Sequence, residues 1–323
     1  MKTIKTWLWL FFLSVLLYAG DLPTAFLQIN PDATSMALGG TNEAYLNGGS
    51  DLFVNPALMV FHENKCVQFS NIIQWDLMQY FSFAATVPIY GRHAFGMGTI
   101  GVNVPDIQEY DENGNYLGNF DNYFYSVFIG YAYKFFPFTL GLSVKYVGSQ
   151  FAAQSQSNNG SGFGFEIGVT YMPWHDLRVG ANFKNSYEIK WNDSYHDYSP
   201  KQMGIAFDYH PEWIRKGFAH FLLGFKQMEQ EPLKFNAGLE IFPIKDLAGV
   251  KFISFRAGVG NVNMELRDKL VTFDLLRTSE KFYSLGAGLL MNFGSSFHFE
   301  LDYSYRILDV LDNQQVVSTK IWF

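Results

Sequence analysis

The chain has 323 residues, of which 18% are aromatic and only 16% charged, with a net charge of −7. Soluble domains carry about 25% charged residues, a mean hydropathy of −0.01 is too polar for a bundle of membrane helices, and the acidic balance argues against a nucleic-acid partner. High aromatic content, 29 glycines and middling hydropathy suit strands that average one greasy and one polar face.

Residues 1–20 read as a secretory signal. Lys2 and Lys5 form a basic start, Trp7 to Leu17 an apolar core, and Tyr18-Ala19-Gly20 the small residues of a cleavage site. The single cysteine, Cys66, is remote from that site, so the mature chain has no lipidated first cysteine and no internal disulfide.

Residues 21–64 do not alternate. Met36-Ala37-Leu38-Gly39-Gly40 is followed by Gly49-Ser50-Asp51 and Asn55-Pro56-Ala57. Ser50 and Asp51 are positioned to cap a short helix that ends before Pro56. A structureless stretch of this length is unusual in a compact fold. A hatch filling a barrel lumen accounts for it.

From Lys65 to Phe323 large apolar residues and charges fall on opposite parities, the period of an extended strand. Phe297, Phe299, Leu301, Tyr303 and Tyr305 alternate with His298, Glu300, Asp302, Ser304 and Arg306. Similar alternation predicts strands at residues 67–74, 79–89, 92–102, 122–134, 139–151, 162–172, 176–184, 201–209, 218–228, 234–242, 251–260, 282–293, 297–306 and 315–323. That gives about fourteen, an even number as in bacterial single-chain barrels. The expected fold is all-β, a transmembrane antiparallel barrel with lipid outside.

Mid-strand charges lie on the parity opposite the apolar set. Lys145, Glu166, Arg178, Glu240, Arg256, Glu300 and Asp302 are therefore expected to line the lumen, paired with one another around the hatch. Gly96, Gly98 and Gly101 weaken the third strand, and a kink or lateral gap is expected there. Connections alternate between short turns and long loops, chiefly 103–121, 152–161, 185–200 and 261–281, which places the long ones outside the cell. Trp75, Trp174, Trp191, Trp213 and Trp322 fall near strand ends, where interfacial girdles sit. The terminal Phe323, with Ile321, Thr319 and Val317 on its face, resembles the signal read by the outer-membrane assembly machinery.

Phe26-Leu27, Met36-x-Leu38-Gly39-Gly40 and Asn55-Pro56-Ala57, in that order, resemble the start of the PorV/PorQ family within the FadL-like group. Glu112–Gly118, Gly141-Leu142-Ser143-Val144-Lys145 and Phe165–Gly168 extend the resemblance to about residue 180. It implies a fourteen-stranded barrel with an N-terminal hatch. It also implies one of two roles: a type IX secretion component that binds exported proteins and hands them on, or a FadL-like passive channel for a hydrophobic small molecule.

No catalytic constellation stands out: the seven histidines are scattered and no Gly-x-Ser-x-Gly motif occurs. No cofactor or metal is expected. Asp111-Glu112-Asn113-Gly114-Asn115 offers oxygen ligands but lacks a twelfth-position Glu, and reads as a solvated hairpin tip. The expected arrangement is a signal at 1–20, a hatch at 21–64 and an outer-membrane barrel at 65–323. The main function expected is secretion support, and the alternative is hydrophobic uptake.

Overall fold

The computed structural model describes residues 25–74, 78–152, 157–191, 196–211, 214, 217–229, 231–247, 249–267, 270–274, 281–294, 297–308 and 313–323. The expected signal segment, Trp75 and Trp213 lie outside them.

Every strand expected from the alternation forms. They are β1 (Cys66–Gln74), β2 (Met78–Ile89), β3 (His93–Tyr110), β4 (Tyr116–Phe135), β5 (Phe138–Ala152), β6 (Ser157–Trp174) and β7 (Leu177–Lys184). A short hairpin, β8 (Tyr187–Lys190) and β9 (His196–Ser199), follows, then β10 (Gln202–Tyr209), β11 (Ala219–Met228) and β12 (Lys234–Leu247). The chain ends with β13 (Val250–Arg267), β14 (Leu270–Asp274), β15 (Phe282–Phe293), β16 (Phe297–Leu308) and β17 (Gln314–Trp322). Leaving out β8, β9 and β14, fourteen strands pair in chain order, and β17 closes antiparallel on β1 from Cys66↔Trp322 to Ile73↔Gln315. Closure removes the edges that would leave backbone groups unpaired in lipid.

The outward face carries Phe69, Ile73, Phe95, Met97, Ile129, Leu142, Val144, Phe163, Phe255, Leu285, Leu301 and Tyr303, all exposed. The inward face is mostly polar or small, with large apolar residues chiefly on β1–β5. This is the lipid-out alternation of an outer-membrane barrel.

The segments read as long loops are largely paired backbone. β3 and β4 continue together to a tip at residues 111–115, β8 and β9 form a hairpin, and β14 folds back on β13. Beyond the membrane both faces of a strand are wet, so the apolar parity that marks a strand disappears while the hydrogen-bond ladder continues. At the tip, Asp111 accepts from the backbone of Asn113 and Asn115 and from the Asn115 side chain. These bonds, the Asn115 side chain first, hold its carboxyl below the ordinary aspartate range.

The interfacial tryptophan expectation needs correction. Trp174 is exposed at the end of β6. Trp322 turns inward, donating to Glu300 Oε2 at 3.1 Å beside the His62 ring. Trp191 is half-buried and donates to Asp197.

Candidate functional site in the barrel interior

Residues 33–60 lie inside the barrel, almost all of them buried. Two short helices, α1 (Ala33–Ala37) and α2 (Asp51–Val54), and a 3-10 helix (Pro56–Phe61) are joined by irregular backbone. Asp32 caps α1 by accepting from Ser35 N at 2.9 Å. α2 stops before Pro56 as expected, but the Ser50 side chain makes no cap bond to it.

An irregular segment cannot satisfy its own backbone groups, and buried orphans are costly. Inward barrel side chains supply the partners. Ser318 accepts from Ala33 N, Ser82 donates to Pro31 O and Ser284 to Ala37 O. Asn182 donates to Val54 O, Lys184 to Phe53 O and Arg178 to Ala44 O.

Inward glycines provide the room. A methyl at Gly180 would strike the Glu43 carbonyl, one at Gly141 the backbone of Pro56 and Ala57, and one at Gly168 the Asn55 side chain. Of the expected motif residues, Met36, Asn55, Pro56 and Ala57 are fully buried. Asn55 accepts from Ala57 N and donates to Glu43 O and Val169 O. Gly39 and Gly40 adopt φ of +68° and +75°, which only glycine takes readily, and Gly39 sits against the Val259 and Ala237 carbonyls.

The expected gap at Gly96–Gly101 is absent. β3 pairs without register shift with β2 from His93 to Asn103 and with β4 from His93 to Val104. The glycines serve packing instead. A Cβ on Gly96 would meet Met59 Sδ at 2.6 Å, and one on Gly98 would meet Phe53 at 2.7 Å. Gly101 is covered by the ring of Phe81, its partner across β2. The register shift in β3 falls later, between Val104 and Ile107, where Asp106 has φ of +57°.

All seven expected lumenal charges are buried on the inward face, and the structure sorts them into three groups. Arg256 bridges Glu240 at 2.7 Å and Asp302 at 2.5 Å, while Lys320 contacts Glu300 and Asp302 at 3.0 Å each. Lys145 pairs with Glu166 at 2.9 Å, and Lys184 approaches the same carboxylate at 3.6 Å. Arg178 pairs with Asp208 at 3.3 Å.

The segment enters these groups directly. Tyr45 donates to Glu240 at 2.5 Å, Asn47 accepts from Lys320 at 2.9 Å, and Lys226 pairs with Glu43 at 2.8 Å. Lys320, Lys184, Glu43 and Tyr45 were not singled out from the sequence. Lys320 lies on the parity opposite Phe323, a signal that was available.

The two sides of the lumen differ chemically. Toward the long-hairpin end, β1–β5 and β8 present Ile72, Tyr80, Ile100, Val102, Phe128, Val147 and Ile189, with Leu27 and Ile29 of the segment packed against them. A small cavity of about 40 Å³ lies between Leu27, Ile29, Phe53, Ile100 and Phe128 on one side and Glu166, Lys184 and Lys226 on the other. A larger one of about 290 Å³ is lined by Gln28, Gly40, Lys226, Lys234, Asn261 and Arg306.

No protein-family model and no curated protein matches the chain. Solved structures do. One described as the CymD monoaromatic hydrocarbon channel is 12% identical, with 91% of this chain and 97% of that chain covered at a TM-score of 0.58. A Pseudomonas aeruginosa FadL homologue is 13% identical, with 90% and 98% covered at 0.58. The Pseudomonas putida toluene transporter TodX is 12% identical, with 89% and 95% covered at 0.55. These likenesses are of fold: the chain is a fourteen-stranded outer-membrane barrel of FadL-like architecture. Two of these three neighbours are described as a channel and a transporter, and none of the three is described as an enzyme or as a PorV or PorQ protein.

Proposed function

We propose that the protein is a passive outer-membrane channel for hydrophobic small molecules. The observation that carries this reading is the apolar wall inside the barrel. Lumen faces of barrels are ordinarily polar, yet Ile72, Tyr80, Ile100, Val102, Phe128 and Val147 form one buried apolar cluster with Leu27 and Ile29 packed against it, and Ile100 and Phe128 border the small cavity with Leu27 and Ile29. The likeness in fold to hydrocarbon channels supports the same reading and favours it over secretion support. Because residues 33–60 fill the barrel and β3 has no gap at its glycines, passage requires the segment to move.

Uptake of a radiolabelled monoaromatic hydrocarbon by cells that express the chain and otherwise lack such a channel tests the proposal. Uptake above that of cells expressing no barrel is expected. Equal uptake sinks it.

The second reading, a type IX secretion component, rests on the motif resemblance and on one feature of the fold. Among the described residues, 107–110 of β3 pair with 116–120 of β4 beyond the reach of β2 and β5, and Tyr110, Tyr116 and Leu117 are exposed. Such an extended hairpin with exposed aromatic residues suits a protein partner. Retention of an exported protein by the intact barrel, lost on removing residues 106–119, would favour this reading.

A further inference from the structure

We propose that Asp208, His210 and His220 form a divalent transition-metal site at the short-turn end of the barrel. The histidines are scattered in sequence, but the β10–β11 hairpin gathers two of them around one carboxylate. Register places Asp208 opposite Leu222, so His220 is its diagonal neighbour on the inward face. His210 follows β10 by one residue. One ligand atom from each of the three lies within 4.8 Å of the others.

The hydrogen bonding leaves a place for a cation. His210 Nε2 lies 2.8 Å from the His175 carbonyl, which can only accept, so Nε2 carries the proton and Nδ1 has a bare lone pair. That buried Nδ1 has no hydrogen-bond partner among the described residues and faces Asp208 Oδ2 at 4.0 Å. In the neutral ring two acceptor atoms therefore face each other at this distance, and Arg178 reaches the same carboxylate oxygen at 3.3 Å. His220 Nδ1 meets Asp208 Oδ1 at 2.8 Å.

Two imidazoles and a carboxylate suit zinc, cobalt or nickel better than calcium or magnesium. Zinc–ligand bonds of about 2.0–2.2 Å put tetrahedral ligand atoms about 3.3–3.6 Å apart. Ligand atoms up to 4.8 Å apart must close by up to about 1.2–1.5 Å, while His220 Nδ1 and Asp208 Oδ1 at 2.8 Å must open slightly; at 22% and 21% side-chain exposure both rings have space to turn. The His175 carbonyl would hold the His210 ring as outer-shell acceptors commonly do.

Arg178 competes for Asp208 Oδ2 at 3.3 Å, and Glu240 lies opposite His220 across β12. Ligation through His220 Nδ1 would replace its present contact with Asp208 Oδ1, since only an unprotonated ring nitrogen binds a metal. The His220 ring also packs edge-on against Tyr45, with centroids 5.6 Å apart, so the site touches the interior segment.

Cobalt(II) titration of the full-length barrel in detergent, read by visible absorption and by metal content after dialysis, tests the proposal. One cobalt per chain is expected, with His210→Ala and His220→Ala each weakening binding by more than about tenfold. His175→Ala keeps the carbonyl and should bind as the parent does. Heat-modifiable gel mobility confirms folding. If His220→Ala fails to fold, His210→Ala, which alters a half-exposed turn residue, carries the test. No binding by the parent, or equal binding by the folded His210→Ala variant, overturns the site.

Discussion

Arg256 offers a sharp test of whether the interior is dry. Its guanidinium is 1% exposed and holds Glu240 and Asp302 at 2.7 and 2.5 Å. In Arg256→Met the side chain keeps much of its length and loses its charge. Asp302 retains Lys320 at 3.0 Å, but among the described residues Glu240 keeps only the Tyr45 hydroxyl as a hydrogen-bond donor. Removing one partner of a buried pair costs about 3–5 kcal/mol because the other charge stays buried and unpaired. Were the lumen full of water, the same pair would be worth about 0–1 kcal/mol.

The two cases differ enough to be separated by urea unfolding from phospholipid vesicles, followed by tryptophan fluorescence and gel mobility. A loss above about 3 kcal/mol is expected. Lys201→Met, which breaks a half-exposed pair with Glu229 at 3.5 Å, serves as the reference and should cost under about 1 kcal/mol. Adding Glu240→Gln to Arg256→Met should recover part of the loss, since it removes the stranded charge. A single-variant loss no larger than the reference would refute the account of a dry, charge-stitched interior.

Two further outcomes follow from the same geometry. Gly180→Val should stop the segment from seating, because the new side chain meets the Glu43 backbone. Limited proteolysis should then cut residues 33–60 while the barrel keeps its mobility. On the outer face, Leu301→Arg at mid-strand should destabilise the vesicle-bound barrel by about 2–4 kcal/mol, while Phe297→Arg at the strand end should cost about 0–1 kcal/mol. Equal losses at the two positions would contradict the placement of β16 across the bilayer.

Strand positions were legible because lipid and lumen impose opposite demands on alternate residues. Leu301 and Tyr303 face out while Glu300 and Asp302 face in, as their parity says. Legibility ended where that contrast ended. Residues 103–121 lose the alternation beyond the membrane and yet remain paired. Gly96 and Gly98 read as weak points because a strand glycine carries no side chain, but the space they leave is filled by Met59 and Phe53 from a segment whose docking site no local pattern encodes. Pairing between lumenal charges was expected as a class. Which carboxylate meets which base depends on barrel stagger, and so Arg256 reaches past β15 to Asp302 on β16 as well as to Glu240 beside it. The His210–His220 cluster was missed because its members are contributed by a turn and the following strand, and only the β10–β11 register brings them to one face.

On the proposed channel reading, the division of the lumen separates entry from passage. Gln28, Ile29 and Asn30 line both cavities, and Gln28 Nε2 donates to Met228 Sδ at 2.8 Å. Residues 31–57, by contrast, are fastened by serines, asparagines and charges on both walls. A small movement at Leu27–Asn30 would admit a ligand to the apolar wall, whereas crossing to the periplasm needs the fastened part to shift. Gly48→Cys can separate the two steps. Its Cβ would stand 3.0 Å from Cys66 Sγ, within reach of a disulfide between segment and β1. The φ of +84° at Gly48 opposes any side chain by about 1–2 kcal/mol, which a crosslink worth about 2–4 kcal/mol offsets. The oxidised variant should still bind a hydrophobic ligand in detergent but should fail to take it up in cells, and dithiothreitol should restore uptake. Unchanged uptake with the crosslink formed would mean that the segment is not the barrier, and that the route leaves the barrel without displacing it.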